Sequence, residues 1–464
     1  MKRYESYKDS GIEGIGEIPS HWETKNLQAL AKNEKYSFTG GPFGSDLKFD
    51  DYTVEGVRII QLQNIGDGTF NDDYKIYTSN EKADSLSSCN IFPGEIIIAK
   101  MADPVARACI IPNTESRFVM ASDGIRLVVN DNVSNSQFAT YSINSNYFRS
   151  QAELNSSGST RLRIGLNTLK KLKFVFPPLN EQIIISSFLE KRTSELDKLI
   201  ADKQKLLELL NEERTAMINQ AVTKGLDTNF PMKDSSVEWL GEIPESWTIG
   251  KLKFFCELIT DGSHFSPPSL ESGKRYISVK DVKENTIDFE NCKYISDDDF
   301  LILERNGCRP KENDILLTKD GTIGRASIVQ EDNDFVILSS LAIIRAKLKF
   351  INPSYLKHFL VSKINVEQML SSLQGSALTR ITLSIINNLY IIVPPINEQE
   401  KILDHIKEHS DTNEKLVLKV QQEIELLKEY KIALISEVVT GKVDVQHEVI
   451  ADCVTESAET LINI

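Results

Sequence analysis

The sequence contains one unit twice, and this internal repeat constrains the fold more strongly than any other feature. Residues 8–22 read KDSGIEGIGEIPSHW and residues 233–247 read KDSSVEWLGEIPESW, with nine identities over fifteen positions. The string PPLNEQ at 177–182 returns as PPINEQ at 394–399, and ELLNEERTAMINQAVT returns as ELLKEYKIALISEVVT. Because each copy of a repeat folds as a similar unit, we predict two similar domains related by a pseudo-twofold axis.

Each copy has two parts with different sequence patterns, which predicts an α+β fold. The first part consists of short alternating or apolar runs separated by Gly, Asn, Asp and Ser, a pattern typical of a strand-rich domain. The second part begins after a Pro-Pro pair, where Asn180 or Asn397 is expected to cap a long helix. The predicted organisation is a strand-rich domain at 1–178, a long helix at 179–226, a second strand-rich domain at 227–395, a second long helix at 396–444 and an acidic tail at 445–464.

The two helical segments carry the apolar pattern of a coiled coil. Residues 181–223 contain neither Pro nor Gly, and apolar residues recur at heptad spacing in both segments. Because the first helix leads into the second domain, from which the second helix starts, a paired arrangement must be antiparallel. Polar patches at 190–195 and 410–415 leave open whether each helix kinks or breaks there. The predicted seam comprises Leu189, Leu196, Leu199, Leu206, Leu210 and Met217 in the first helix, with Ile200, Leu207 and Ala221 beside them, and Leu403, Ile406, Val417, Val420, Ile424, Leu427, Leu434 and Val438 in the second.

The composition is that of a globular protein, with 41% hydrophobic and 26% charged residues among 464. No stretch approaches the roughly 18 apolar residues of a membrane span, and the opening MKRYESYKDS has no apolar segment for secretion, so we expect a cytoplasmic protein. The six cysteines are far apart and form no CxxC pair, which predicts reduced thiols buried in the core. The net charge of -14 argues weakly against a polyanion partner, although five negative charges lie in the last 21 residues.

A pseudo-twofold protein suits a ligand that is itself nearly twofold, and duplex DNA is the obvious candidate. Two similar modules joined by a rigid spacer would read two half-sites at a fixed separation. Symmetry alone also fits a duplicated scaffold that bridges two copies of a partner protein without reading DNA. The two hypotheses therefore have to be separated by the residues themselves.

Four ordered signals, each present twice, resemble the specificity subunit of type I restriction-modification systems. They are the GEIPxxW box that opens each half, the PPLNEQ and PPINEQ junctions, the ELLxExxxAxIxxxVT helix endings, and loop segments such as DILLTKDGTIGRASIV. The resemblance covers nearly the whole chain apart from the acidic tail. It implies that each strand-rich part is a target-recognition domain for one half of a split DNA site. It also implies that the helices set the gap and dock two methyltransferase subunits, that restriction subunits complete the enzyme, and that S-adenosylmethionine, ATP and Mg are held by the partners.

The polar, Gly-containing loops of each domain are the predicted DNA-binding sites. Arg and Lys suit guanine and phosphate, Asn and Gln suit adenine, and Gly lets the backbone approach phosphates closely. The candidate residues are Gly44, Ser45, Gln61, Gln63, Asn64, Lys100, Arg107, Thr160, Arg161 and Arg163 in the first domain and Gly262, Ser263, His264, Lys280, Lys319, Thr322, Arg325, Thr379 and Arg380 in the second.

Structural alternatives remain open for several of these residues. Lys100 and Lys319 could equally be surface charges at strand ends, and Gln61 with Gln63 could be the solvent side of a strand. Arg163 and Arg380 occupy one position in both copies, which points to phosphate contact or a structural ion pair and away from base reading. Trp22 and Trp247 are also equivalent, and we expect both to be apolar anchors of the opening box.

The sequence offers little support for catalysis within this chain. The string NPSY at 352–355 resembles the loop of adenine methyltransferases, but its counterpart at 135–138 lacks the proline, and a helix-initiating turn explains both. Asp261 with the string DVK at 281–283 faintly resembles a nuclease site, whereas the first copy has no such string. No GxxxxGK[ST] loop is present. His405 and His409 lack a matched third ligand, so we predict no metal site and no catalytic residue.

Overall fold

The computed structural model describes residues 2–101, 104–158, 161–227, 229–283, 286–330, 334–372 and 380–448. The chain divides into two compact units, one formed by residues 1–203 with 423–464 and the other by residues 204–422. The division falls inside both long helices, so each unit contains one strand-rich head and parts of both helices. We call residues 7–176 the first head and residues 232–393 the second head.

The first head is built from two sheets and two shorter strand pairs. An antiparallel sheet has the strand order Ala108–Ile110, Ile96–Ala99, Gly124–Leu127 and Phe38–Gly40. A mixed sheet has the order Tyr52–Thr53, Ile76–Thr78, Val57–Ile60, Phe118–Met120 and Asn90–Ile91. The strand pairs are Tyr7–Asp9 with Glu17–Pro19 and Glu23–Asn26 with Lys173–Phe176. The helices are Leu27–Leu30, Phe49–Asp51, Leu62–Asn64, Asn80–Ser85, Ser87–Cys89, Ser136–Asn144, Asn146–Leu154 and Leu166–Lys171.

The second head repeats this arrangement. Its antiparallel sheet has the order Cys256–Asp261, Leu341–Ala346, Ile315–Thr318 and Ala326–Ile328, and its mixed sheet has the order Lys293–Ile295, Lys274–Ile277 and Phe335–Ile337. The strand pairs are Met232–Asp234 with Glu242–Pro244 and Thr248–Lys251 with Tyr390–Val393. The helices are Leu252–Phe255, Asp297–Arg305, Pro353–Val361, Lys363–Ser371 and Leu383–Asn388.

The parallel strand pair shows most clearly that the two heads share one topology. Arg58 faces Phe118 in the first head, and Arg275 faces Phe335 in the second. Val57–Ile60 and Phe118–Met120 are buried along their whole length, as expected for parallel strands covered on both faces. The sequence repeat therefore predicted the α+β fold class and the repeated architecture correctly.

The two long helices span Leu179–Lys224, with 46 residues, and Ile396–Val439, with 44 residues. Each continues through its polar patch without a break. In the first unit Lys431 Nζ lies 2.6 Å from Asp197 Oδ1 and Lys203 Nζ lies 2.5 Å from Glu423 Oε2. In the second unit Asn413 Nδ2 donates to the carbonyl of Leu210 at 3.0 Å. In the first unit the partner number falls from 431 to 423 as the residue number in the first helix rises from 197 to 203, which confirms the antiparallel pair.

The predicted seam was wrong at Leu199 and Leu206, which are 42% and 41% exposed. The face that is buried or half-buried passes instead through Thr193, Leu196, Ile200, Lys203, Leu207 and Leu210, again in heptad steps. Polar residues can occupy this face because they have partners. The Thr193 hydroxyl lies 3.3 Å from the Tyr141 hydroxyl, and Lys203 pairs with Glu423. An apolar pattern alone could not separate the inward leucines from the outward ones.

The cap of each long helix lies two residues earlier than predicted. The carbonyl of Pro178 accepts from the backbone N–H groups of Glu181 and Gln182 at 2.9 and 3.0 Å, so Asn180 lies inside the first turn and does not cap it. The second helix starts in the same way at Pro395.

The repeated Glu and Gln of the junction motif hold the first head on its helix. Trp22 is fully buried, and its Nε1 donates to Glu181 Oε2 at 3.0 Å, while His21 Nε2 lies 2.7 Å from Glu181 Oε1. Gln182 donates to the carbonyls of Val133 and Pro177 at 3.2 and 2.8 Å. Trp247 is equally buried in the second head. The prediction that both tryptophans are apolar anchors is therefore confirmed.

The described cysteines, Cys89, Cys109, Cys256, Cys292 and Cys308, are free thiols and all are buried, as predicted, while Cys453 lies outside the described residues. Within the described part of the chain, none of the helices combines the length and apolar character that crossing a membrane requires.

Candidate nucleic-acid interface

In the first head, the predicted loops meet at the turn that precedes strand Gly124–Leu127. The backbone N–H of Lys100 donates to the carbonyl of Asp123 at 2.7 Å, and Arg163 Nη2 donates to Asp123 Oδ1 at 2.7 Å. The N–H of Gly41 donates to the carbonyl of Gly124 at 2.7 Å. The N–H of Ala121, in the same turn, donates to the carbonyl of Ile60 at 2.9 Å, and the loop containing Gln61 follows directly after Ile60. The turn therefore gathers segments that are far apart in the sequence.

The second head uses equivalent contacts. The N–H of Lys319 donates to the carbonyl of Ser340 at 3.0 Å, and the N–H of Val279 donates to Ser340 Oγ at 3.1 Å. The N–H of Gly262 donates to the carbonyl of Leu341 at 3.3 Å. Residues 380 and 381 join the others, because the N–H of Ile381 donates to the carbonyl of Lys319 at 2.8 Å. The structure thus brings the described parts of four predicted loops together in each head, and we refer to them as the four loops: 40–46, 61–64, 100–107 and 159–163 in the first head, and 261–266, 278–281, 319–325 and 376–380 in the second. Residues 102, 103, 159, 160 and 376–379 of these loops lie outside the described residues.

Gly41, which was not among the residues predicted to bind DNA, shapes the first of these loops. A Cβ on Gly41 would lie 1.9 Å from the carbonyl oxygen of Ala121, and a Cβ on Gly262 would lie 2.1 Å from that of Ile337. Such approaches between backbones require glycine. Gly44, the candidate named from the sequence, is exposed and meets no atom within 4 Å, so its glycine is not needed for space.

Most candidate side chains reach solvent, but they do so to different degrees. Thr160 and Thr379 lie outside the described residues. Gln61, Lys100 and Arg107 are half-buried, and Arg107 Nη2 donates to the carbonyl of Leu62 at 2.9 Å. The exposed candidates are Gly44, Ser45, Gln63, Arg161, Arg163, His264, Lys280, Thr322, Arg325 and Arg380.

The structure removes Asn64 from the set of candidate DNA contacts, because its side chain is fully buried. Its Nδ2 donates to the carbonyls of Asn71 and Tyr74, each at 2.9 Å, and its Oδ1 accepts from the N–H of Gln61 at 3.0 Å. Asp281 takes the same position in the second head and accepts from the N–H of Ser278 at 2.7 Å. Asn64 therefore shapes its loop from the inside.

Lys319 was also placed wrongly on the surface. It is buried, and its Nζ lies 3.3 Å from Asp261 Oδ2, to which His264 Nε2 also lies at 3.3 Å. Neither strand-end exposure nor DNA contact fits a buried lysine whose charge is matched within the head. Because removing one member of such a pair leaves a poorly solvated charge, Lys319 stabilises the loop that follows strand Cys256–Asp261.

Gly262 and Ser263 are likewise buried and present no side chain to a ligand. Ser263 Oγ accepts from the N–H of Phe265 at 3.0 Å and donates to its carbonyl at 2.8 Å. The hydroxyl therefore fixes the loop conformation.

The two equivalent arginines form ion pairs within their heads. Arg163 pairs with Asp123 at 2.7 Å, and Arg380 Nε lies 3.8 Å from Asp320 Oδ2. Both side chains nevertheless remain exposed. Each arginine thus has an internal partner and still offers guanidinium N–H groups to the outside.

The strings that suggested catalysis have structural roles. Asn352 Oδ1 accepts from the N–H of Ser354 at 2.8 Å and caps helix Pro353–Val361, as predicted. Tyr355 is buried and donates to the carbonyls of Val222 and Ile392 at 3.0 and 3.2 Å, and burial raises the pKa of its hydroxyl. Asp281 accepts a hydrogen bond from the backbone of its own loop. Among the described residues, no cluster of His, Cys, Asp and Glu is placed to hold a metal ion.

A family model described as the type I restriction modification DNA specificity domain matches residues 5–209 and 244–426. The chain is 24% identical over 425 residues to the type I restriction enzyme EcoBI specificity subunit of Escherichia coli, covering 88% of this chain and 84% of that protein. It is 24% identical over 447 residues to the type I restriction enzyme MjaIX specificity subunit of Methanocaldococcus jannaschii, covering 93% and 96%.

Solved structures share the fold. A chain from a structural study of the assembly and conformational transition of the type I R-M system matches with a TM-score of 0.67 at 14% identity, covering 92% of this chain and 99% of that chain. The HsdS subunit from Thermoanaerobacter tengcongensis matches with a TM-score of 0.54 at 15% identity, covering 93% and 100%. These matches agree with two similar heads and a long helix pair.

Proposed function

The chain belongs to the family of type I restriction-modification DNA specificity proteins, and on that premise we propose that each head reads one half of a split DNA sequence. The four loops of each head form the reading surface, and the long helices set the gap between the two half-sites. The proposal extends the role of a DNA recognition subunit to particular loops and residues of this chain.

The observation that carries the proposal is a shared backbone frame with different exposed side chains. The same backbone hydrogen bonds hold the loops in both heads. Gln63 and Lys280 occupy equivalent exposed positions on that frame. A Gln amide suits adenine, whereas a Lys ammonium suits guanine. Two heads with one frame and different side chains are suited to read two different sequences.

Arg163 and Arg380 are the proposed phosphate contacts of the two heads. They are the same residue at the same position, so they add no difference in sequence preference between the heads. Their ion pairs with Asp123 and Asp320 orient the guanidinium groups while leaving them exposed. Contacts to the DNA backbone of this kind fix register and orientation.

We further propose that this chain is not itself catalytic and acts in the cytoplasm with partner subunits. Two methyltransferase subunits would supply S-adenosylmethionine chemistry, and restriction subunits would supply ATP-driven translocation with Mg. The structural roles found for Asp281, Asn352 and Tyr355 support this division of labour, because those residues already serve the fold.

The outer faces of the long helices are the proposed docking surface for the methyltransferase subunits. Large apolar side chains on these faces remain exposed in both units, and exposed apolar surface of this kind favours protein contacts. In the first unit they are Leu199, Leu426, Tyr430 and Ile432, and in the second unit Leu206, Leu209, Leu416 and Leu418.

The isolated chain is expected to bind DNA weakly, because its net charge is -14 and DNA affinity depends on neutralising phosphates. Adding the methyltransferase subunits completes a clamp and is expected to strengthen binding at least about a hundredfold at physiological salt. Fluorescence anisotropy with a labelled duplex that contains the methylated motif measures both affinities. Duplexes in which one or the other half-site is scrambled provide the control.

Tight, site-specific binding by the isolated chain would contradict this expectation. If the assembled complex binds intact and scrambled duplexes equally well, the heads do not read sequence. The alternative hypothesis, a duplicated scaffold that bridges two copies of a partner, would then be favoured.

A further inference from the structure

Each head exposes a phenylalanine on the first of its four loops. Phe43 is 82% exposed, two residues after the close-packed Gly41, and Phe265 is 60% exposed, three residues after the equivalent Gly262. Burying a phenylalanine side chain stabilises a protein by about 1.5–3 kcal/mol. Because these two rings are exposed, the head gains little of this stabilisation from them.

The backbone beneath Phe265 is held firmly although the ring is free. The carbonyl of Phe265 accepts from the hydroxyl of Tyr276 at 2.9 Å and from Ser263 Oγ at 2.8 Å, and its N–H donates to Ser263 Oγ at 3.0 Å. Desolvation by burial raises the pKa of the Tyr276 hydroxyl, so that hydroxyl remains a donor. Because the backbone is already fixed, little conformational entropy of the loop is lost when the ring binds a ligand.

The surroundings of this ring favour DNA over a protein partner. The exposed side chains on the four loops of the second head include His264, Lys280, Arg325 and Arg380, which are hydrogen-bond donors suited to phosphates and base edges. An apolar ring on a surface with such donors is complementary to a ligand that has a charged exterior and an apolar interior. Stacked base pairs between two phosphate backbones have this character.

We propose that Phe265, and Phe43 in the first head, insert between adjacent base pairs of their half-sites. Each ring would partly unstack one base step and bend the duplex, as apolar wedges do in other DNA-binding proteins. The inference rests on the proposed function, because it assigns these rings to the surface that reads DNA. Pyrimidine–purine steps unstack most easily, so one such step is expected in each half-site where the ring enters.

The test uses the complex of the full chain with its methyltransferase subunits. A duplex carrying the motif found by methylome sequencing receives 2-aminopurine at successive positions of the half-site read by the second head. Binding is expected to raise the fluorescence at one base step. Phe265→Ala is expected to abolish that rise and to weaken binding about tenfold, and Phe265→Trp is expected to retain both.

Phe254→Ala is the matched control. Phe254 is 61% exposed and belongs to the same head, but it precedes strand Cys256–Asp261 at the end opposite the four loops. This control is expected to behave like the unchanged protein in both fluorescence and affinity.

Three outcomes would overturn the wedge. In the first, Phe265→Ala leaves fluorescence and affinity unchanged while Lys280→Ala and Arg325→Ala weaken binding, so the loops read DNA without a wedge. In the second, Phe265→Ala prevents assembly with the methyltransferase subunits before DNA is added, so the ring belongs to a protein interface. In the third, none of these variants affects binding, and the proposed reading surface fails as well.

Discussion

Replacing residues 30–175 with the corresponding segment of a relative that has a different known motif will change one half of the methylated sequence and leave the other half unchanged. The exchanged segment contains all four loops of the first head and none of the second. Methylome sequencing of cells that express the hybrid with its methyltransferase partner reads both halves at once. The unchanged chain, expressed in the same cells, is the control.

The junction between head and helix explains why such an exchange is expected to be tolerated. Trp22 and Glu181, which form the buried hydrogen bond of the junction, both lie outside the exchanged segment. Gln182 reaches into that segment mainly through backbone groups, since it donates to the carbonyl of Val133 and accepts from the N–H of Asn135 at 3.0 Å. Backbone partners remain available when the side chains change.

The hybrid also separates the two hypotheses for the repeat. A motif with one changed half shows that the heads act independently. An unchanged motif would mean that the first head does not determine which DNA sequence is methylated, and it would support the scaffold hypothesis. A change in both halves would contradict independent reading by the two heads.

Gly41→Val is expected to abolish methylation of the motif, lowering it at least about a hundredfold, because recognition of a whole half-site is lost. The added Cβ would lie 1.9 Å from the carbonyl oxygen of Ala121, which belongs to the backbone and cannot swing away. The first of the four loops must therefore shift, together with the exposed residues that it carries. Methylation of genomic motif sites, measured by sequencing, is the readout.

Gly40→Ala is the matched control for this variant. Gly40 is the preceding residue, and a Cβ there meets no atom within 4 Å. Circular dichroism of both variants checks that the chain remains folded. Normal methylation by Gly41→Val would show that the close approach of the two backbones is not needed for recognition.

The repeated and periodic features of the fold could be predicted from the sequence. The duplicated GEIPxxW box predicted equivalent buried tryptophans, and the absence of Pro and Gly over 181–223 predicted a long helix, although a kink or break at its polar patch was left open. These predictions succeed because they depend on local periodicity and on matching copies. The connectivity of the chain then restricts the helix pair to an antiparallel arrangement.

The orientation of individual polar side chains could not be predicted in the same way. Asn64 and Lys319 lie in polar loops beside exposed residues of the same types, yet both turn inward to satisfy a loop backbone or a carboxylate. Short polar side chains often bond to their own loop, and the sequence does not show which ones do. The prediction that Leu199 and Leu206 face the other helix was wrong for a related reason, because apolar residues occupy both the inner and the outer faces of the long helix.

Methylome sequencing of cells with and without this gene, in a background that retains the partner subunits, tests the central claim most directly. Reading by two heads predicts that one split motif, methylated on both strands, disappears when the gene is deleted and returns when it is restored. Unchanged methylation, or the loss of a continuous motif without a gap, would contradict the claim.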